Sequence, residues 1–353
     1  MAFIKKHWQV ILSGLFVGAV AVLLVALGNP KNMGFCIACF VRDIAGGLGL
    51  HRAEIVQYIR PEVIGLILGA FIMSLIGKEF KVQGGSSPLT RFILGFGVMV
   101  GALMFLGCPL RMVLRIGGGD LNALIGLVGF AAGILLGIVA LNKGFTLKRS
   151  YTLPKIEGYA MPVINVALLV LLASGSVLLI YSEKGPGSMH APIIAALVAG
   201  LAVGAIAQKT RLCMVAGIRD SVMFKDFHML FAFVGIIVAT LIGNAMTGNL
   251  HFSFADQPVA HTDGLWNALG MLLVGFGSVL LGGCPLRQLI LSGSGNADSG
   301  IAVLGMTVGA AFCHNFKLAS SAEGPTANGK IAVILFIVIT AVIAISNMQK
   351  EKE

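Results

Sequence analysis

The chain has 353 residues, 57% hydrophobic and 11% charged, with a mean hydropathy of +0.93. A globule in water carries roughly 25% charged residues, so a soluble domain is excluded. The net charge of +10 is spread through short polar stretches between apolar runs and forms no single basic stripe, which excludes a nucleic-acid partner.

Lys5-Lys6-His7 is followed by an apolar run from Trp8 to Gly28. That run has about the ~20 residues needed to cross a bilayer and lacks a small-x-small cleavage site, so it reads as a retained transmembrane helix. Further apolar runs lie near residues 61–77, 92–108, 121–142, 160–181, 191–207, 228–247, 265–283, 299–316 and 330–347. Turn-forming clusters separate them, among them Gly84-Gly85-Ser86-Ser87-Pro88, Gly185-Pro186-Gly187 and Glu323-Gly324-Pro325. Stretches 34–50 and 210–226 are apolar but too short to span, and both contain Arg and Asp. The expected fold is an all-α polytopic membrane protein, its 47 glycines serving close helix packing.

With the N-terminus inside, Lys78, Lys81, Arg91, Lys143, Lys148, Arg149, Lys155, Lys350 and Lys352 fall on the cytoplasmic side. The 248–264 connection falls on the other side and contains Asp256 and Asp263 but no Lys or Arg. Positive charge accumulates on the cytoplasmic side, so both termini are expected there.

The chain repeats itself. Phe35-Cys36, five residues and Arg42-Asp43 are matched by Leu212-Cys213, five residues and Arg219-Asp220, 177 residues later. Gly107-Cys108-Pro109-Leu110-Arg111 recurs letter for letter as Gly283-Cys284-Pro285-Leu286-Arg287 at a shift of 176. The turn Gly117-Gly118-Gly119-Asp120 answers to Gly293-Ser294-Gly295-Asn296. Two repeats follow, 1–181 and 182–353, of about five membrane helices each, with short or broken helices at the Cys motifs. An odd number of spans inverts the second copy, an architecture of transporters whose substrate path runs between the halves. By the charge-based orientation Cys36 and Cys108 approach that path from outside, and Cys213 and Cys284 from the cytoplasm.

In Gly-Cys-Pro-Leu-Arg the proline pushes the residue before it out of helical geometry. A helix break at membrane depth is tolerated only inside protein or against a polar cavity. Cys108 and Cys284 are therefore placed at such breaks, with Arg111 and Arg287 three residues on. Arg42, Arg111, Arg219 and Arg287 are costly at membrane depth. Either they pair locally, as Arg42 with Asp43 and Arg219 with Asp220, or they form positively biased funnels for an anion. Cys36-x-x-Cys39 suggests a dithiol, yet Ala216 stands where the second copy would need Cys39, so this pair is outside the duplicated core. Cys313-His314 reads as packing. No zinc set, nucleotide-binding loop or hydrolase motif is present, so neither a cofactor nor an enzymatic activity is expected. A thiol is soft, polarizable and a weak donor, better matched to a substrate presenting sulfur or selenium than to a hydrated oxyanion. Several in file give the weak multi-site binding that conduction needs.

These motifs, with the Gly-rich spans, resemble the YeeE/YedE sulfur-transport family of bacterial inner-membrane proteins over nearly the whole chain. The resemblance implies a multi-pass inner-membrane importer whose three path cysteines fall on Cys108, Cys213 and Cys284, with Cys36 a fourth, symmetric member. Thiosulfate importers of the family follow Gly-Cys with a Thr-Ser-Gly-His type of sequence, whereas this chain has Pro-Leu-Arg, as in the YedE branch associated with selenium metabolism. The expected substrate is a small sulfur- or selenium-containing anion, with the selenium compound favoured and a thiosulfate-like ion the other candidate. A small cytoplasmic sulfur or selenium carrier protein is a compatible partner. The alternative function is a membrane thiol–disulfide oxidoreductase using Cys36 and Cys39.

Overall fold

The computed structural model describes residues 2–348. Lys350 and Lys352, and the side chains of Lys5 and Lys6, lie outside the described residues. The first repeat comprises α1 (Ala2–Ala26), α2 (Ile37–Gly47), α3 (Pro61–Ile76), α4 (Pro88–Phe105), α5 (Pro109–Gly117), α6 (Leu121–Asn142) and α7 (Lys155–Ala173). The second repeats the order as α8 (Ile193–Thr210), α9 (Met214–Phe224), α10 (His228–Met246), α11 (Gly264–Leu280), α12 (Pro285–Gly293), α13 (Ala297–Asn315) and α14 (Ala327–Ser346). Two-residue strands at Gln83–Gly84 and Tyr151–Thr152 pair antiparallel.

Nine helical segments among the described residues are long and apolar enough to cross a bilayer, and the 16-residue α3 is a shorter tenth. Each of the ten expected runs overlaps one of these helices. Stretches 34–50 and 210–226 contain the short helices α2 and α9. The run expected over 160–181 instead yields a helix that ends at Ala173, where Ser174 and Gly175 (φ +59°) turn the chain. The apolar Val177-Leu178-Leu179-Ile180 beyond that turn extended the hydropathy signal without extending the helix.

The breaks follow from local chemistry. α4 stops as Leu106 turns left-handed (φ +60°), and Cys108 is extended (φ −83°, ψ 172°) because Pro109 disfavours a helical predecessor. Pro109 is then the first residue of α5, where its missing N–H costs nothing. Cys284 (φ −66°, ψ 167°) and Pro285 repeat this between α11 and α12. The duplicated turn also recurs: Gly119 (φ +88°) and Gly295 (φ +98°) are left-handed, and Asp120 and Asn296 cap α6 and α13.

The repeats interlock. α6 packs on α11 and α4 on α13, a symmetric exchange, and α3 on α8 mirrors α1 on α10. Glycines make these crossings close. A Cβ on Gly69 would sit 2.2 Å from the Leu201 carbonyl oxygen, and one on Gly204 2.2 Å from that of Leu66.

Hydrogen bonds sort the connections into two faces. Lys81 N–H reaches Ser294, Ser86 reaches Leu147 and Arg211 pairs with Glu79, which gathers 77–87, 143–154, Arg211 and 294–296 on one, basic face. Ser182 N–H reaches Gln57, Asn315 reaches Leu50 and Leu121 N–H reaches Ser253, which gathers 48–60, 174–192, 247–263 and 316–326 on the other.

Candidate functional site

Cys36, Cys108, Cys213 and Cys284 are the N-caps of α2, α5, α9 and α12 respectively. These helices begin in the interior. α2 and α5 run out to the face bearing 247–263, while α9 and α12 run to the basic face. Their positive dipole ends point inward and favour negative charge there. α5 touches α9 and α2 touches α12.

The structure brings the four sequence-predicted cysteines together as two pairs. Cys213 and Cys284 sulfurs are 3.8 Å apart, and Met214 N–H donates to Cys284 at 3.4 Å. Cys36 and Cys108 are close enough for their side chains to interact, at the facing N-termini of α2 and α5. Each pair joins a residue of the Cys-x5-Arg-Asp motif to one of the Gly-Cys-Pro motif, so pairing obeys the repeat. Cys39 N–H donates to Cys36 at 3.4 Å, and Cys39 is within 3.5 Å of Arg111. Cys313 is buried away from both pairs, beside His314, whose ring lies 4.7 Å from that of His51.

The glycine of each Gly-Cys-Pro-Leu-Arg has a steric role that its sequence leaves unstated. The arginine side chain folds back across it, so a Cβ on Gly107 or Gly283 would lie 2.8 Å from Arg111 or Arg287 carbons.

The four predicted arginines occupy unlike environments. Arg42 is buried and donates both Nε and Nη2 to one oxygen, Oδ1, of Asp43, at 2.9 and 2.7 Å. Arg219 pairs with Asp220 at 2.8 Å in a half-buried setting. Arg111 is fully buried and donates to carbonyl oxygens of Asn32 (2.9 Å), Leu106 and Val259 (3.0 Å). Arg287 has no hydrogen-bond or ion-pair partner among the described residues, and its Nη1 is buried. It faces a cavity of about 250 Å³ on the basic face, lined also by Arg211, Cys213, Arg219, Asp220 and Asp226. Within it Asp220 pairs with Arg219 and Glu79 with Arg211, while Arg287, beside the Cys213 thiol, has no carboxylate within ion-pair distance among the described residues, although Asp226 shares the cavity. A larger cavity of about 600 Å³, between α1 and α8, is lined by Leu12, Phe16 and Ile206 and holds neither cysteine nor arginine. It is an apolar groove away from the sulfur pairs.

Two buried arginines beside the predicted site escape sequence reasoning. Arg60 joins Asp43 at 2.7 Å, and Arg115 joins Asp120 at 2.6 Å, both fully buried. Neither has a counterpart in the second repeat: the position matching Arg115 is Leu291. Two histidines in the connections brace this region alike. His51 Nε2 meets the Arg42 carbonyl and His261 Nε2 the Met104 carbonyl, while Nδ1 of each accepts a backbone N–H. Burial holds both imidazoles below their usual range, consistent with neutral rings carrying the proton on Nε2. Among the described residues no cluster of three or more His, Cys, Asp or Glu side chains is arranged to hold a metal ion.

A family model described as sulphur transport matches residues 1–103 and 209–352, which include Cys36, Cys213 and Cys284. No curated protein matches the chain.

Proposed function

The chain belongs to the YeeE/YedE sulphur-transport family, and from that premise we propose that it imports a small sulfur- or selenium-containing anion through a path of paired thiols. The observation that carries this reading is the convergence of four helix N-termini, each with a cysteine at its N-cap position, on an interior reached from a vestibule with the unpaired Arg287. Arg287 supplies the charge that concentrates the anion, and the thiols supply soft, weak contacts that hold it without trapping it. The likeness of the Pro-Leu-Arg after each Gly-Cys to the YedE branch associated with selenium metabolism favours a selenium compound over thiosulfate. Path residues in this reading are Cys36, Cys108, Cys213, Cys284, Arg111 and Arg287, with Arg42 and Arg219 held by their aspartates at the two approaches. The repeats divide near residue 181.

Uptake of radiolabelled selenite and thiosulfate by cells lacking and then regaining the protein tests the proposal. Restored uptake of either is expected; background uptake of both would reject it. Co-purification of a small cytoplasmic carrier would identify where the cargo is delivered. The oxidoreductase alternative draws on the Cys39 N–H bonded to Cys36 at a helix N-terminus. It requires that Cys39→Ala alone abolish function and that a mixed disulfide be trapped.

Two expected results arise here. Arg287→Gln should lower uptake about tenfold or more, the loss of one charge-assisted hydrogen bond to the anion. Initial uptake rates against protein level in the membrane measure it, and wild-type rates would return Arg287 to a merely interfacial role. For sidedness, we place the basic face in the cytoplasm of a bacterial inner membrane with both termini there. Single cysteines in 248–264 should react with an impermeant reagent on spheroplasts while those in 143–157 should not, and equal labelling would refute the orientation.

A further inference from the structure

The two repeats differ most where their Gly-Cys-Pro-Leu-Arg arginines lie. The connection before α4 has 11 residues (77–87), and the corresponding connection before α11 has 17 (247–263). Both strap onto the duplicated turn by one parallel bridge, Gln83 to Asn296 and Ser253 to Asp120. The longer connection then continues inward. His251 and Ser253 N–H donate to the Gly118 and Gly119 carbonyls, Gln257 Nε2 reaches the His251 and Ser253 carbonyls, and Asn32 donates to Gln257 at 3.2 Å. Its Pro258-Val259 carbonyls end on Arg111, the residue equivalent to the free Arg287.

What lies beneath this strap carries excess positive charge. Arg111 and Arg115 donate to the adjacent carbonyls of Leu106 and Phe105, so the two guanidinium groups sit side by side and repel. Asp120 pairs with Arg115, and among the described residues no carboxylate is within ion-pair distance of Arg111. Arg115 is fully buried, yet its Nη2 has no partner. Carbonyl dipoles are weak substitutes for an anion beside a buried guanidinium. The strap is also strained: Val259, a β-branched residue, sits at φ +52°, and Asp256 at φ +57°.

We infer that Arg111 and Arg115 form a second, outer binding site for the transported anion, and that the 251–261 strap occupies it with the Pro258 and Val259 carbonyls until an anion displaces them. The inference rests on the transport reading and gives it a sequence of sites: Arg111 and Arg115, then the Cys36–Cys108 pair, then Cys213–Cys284 and Arg287. A small oxyanion or thio-oxyanion fits the donors, which are flat N–H forks. With the strap in place Cys108 is sealed; with it lifted, Cys108 becomes reachable from that side.

The test is the rate at which an impermeant methanethiosulfonate modifies Cys108 in spheroplasts expressing the full chain, read by mass spectrometry. Gln257→Ala removes strap bonds without touching either arginine, and should raise the rate about tenfold in the absence of any anion, the factor for one or two lost hydrogen bonds. Asn32→Ala should act in the same direction. Sodium thiosulfate and sodium selenite, used as probes, should each be compared with sodium chloride in wild type. At least one should raise the rate, and that rise should vanish in Arg111→Gln while Gln257→Ala still acts in the same background. An unchanged rate in both Gln257→Ala and Asn32→Ala overturns the strap, and an undiminished probe effect in Arg111→Gln overturns the site. Loss of uptake of both probes with these labelling results intact counts against the transport reading alone.

Discussion

Alanine at Cys213 or at Cys284 is expected to reduce uptake to the background of cells without the protein. These thiols are 3.8 Å apart, and Cys213 also lines the basic-face cavity, so in the proposed thiol path removing either leaves a gap between one soft contact and the next. Cys108→Ala should behave alike from the other pair. Cys→Ser keeps the shape but offers a harder group that prefers water and oxyanions, so rescue should be partial. Cys39→Ala and Cys313→Ala should retain uptake, because neither has a counterpart in the other repeat. Cys36→Ala should give an intermediate loss, since its partner Cys108 remains at the same helix break. Wild-type uptake by alanine variants at all three of Cys108, Cys213 and Cys284, in protein shown to be in the membrane, would end the thiol-path proposal.

The second large effect is on stability. Asp43→Asn leaves two buried guanidinium groups, Arg42 and Arg60, without their shared carboxylate. Breaking a buried pair by removing one partner costs about 3–5 kcal/mol, a large part of the ~5–15 kcal/mol that holds a domain. The loss is wider than α2, because Arg60 also donates to the Met189 and Pro186 carbonyls and so ties the repeats together. Asp220→Asn is the internal control: its pair is half-buried and involves one arginine, so the change should cost at most about 1 kcal/mol. Denaturant unfolding of both purified variants measures the difference, and equal stabilities would refute the assigned role of Asp43.

Much of this architecture was legible beforehand. The apolar runs located the helices because bilayer thickness sets their length. The Cys-Pro dipeptides located two breaks because proline acts on its immediate neighbour. Arg60 and Arg115 were not legible. Each lies outside the duplicated motifs, and its counterion, Asp43 or Asp120, is brought to it by a turn whose geometry no spacing rule states. The local Arg42–Asp43 and Arg219–Asp220 pairings were expected as one of two readings, and both are present.

By itself the sequence determined that the chain is a membrane-embedded duplication, where its helices break, and which cysteines and arginines recur. Those properties depend on hydropathy, on single dipeptides and on identity between copies, all of which act over short stretches or need no coordinates. The tertiary structure decided that Cys36 meets Cys108 and Cys213 meets Cys284, and that Arg287 stands free while its twin Arg111 is covered. Pairing depends on which helices cross, here α4 with α13 and α6 with α11, through glycine contacts such as Gly95 on Ala302 and Gly129 on Ala268 that join residues far apart in the chain. The unequal arginines depend on six extra residues in one connection of the second repeat, which folds over Arg111 of the first. Identical motifs carry identical local geometry, but what packs over them is set by the rest of the chain.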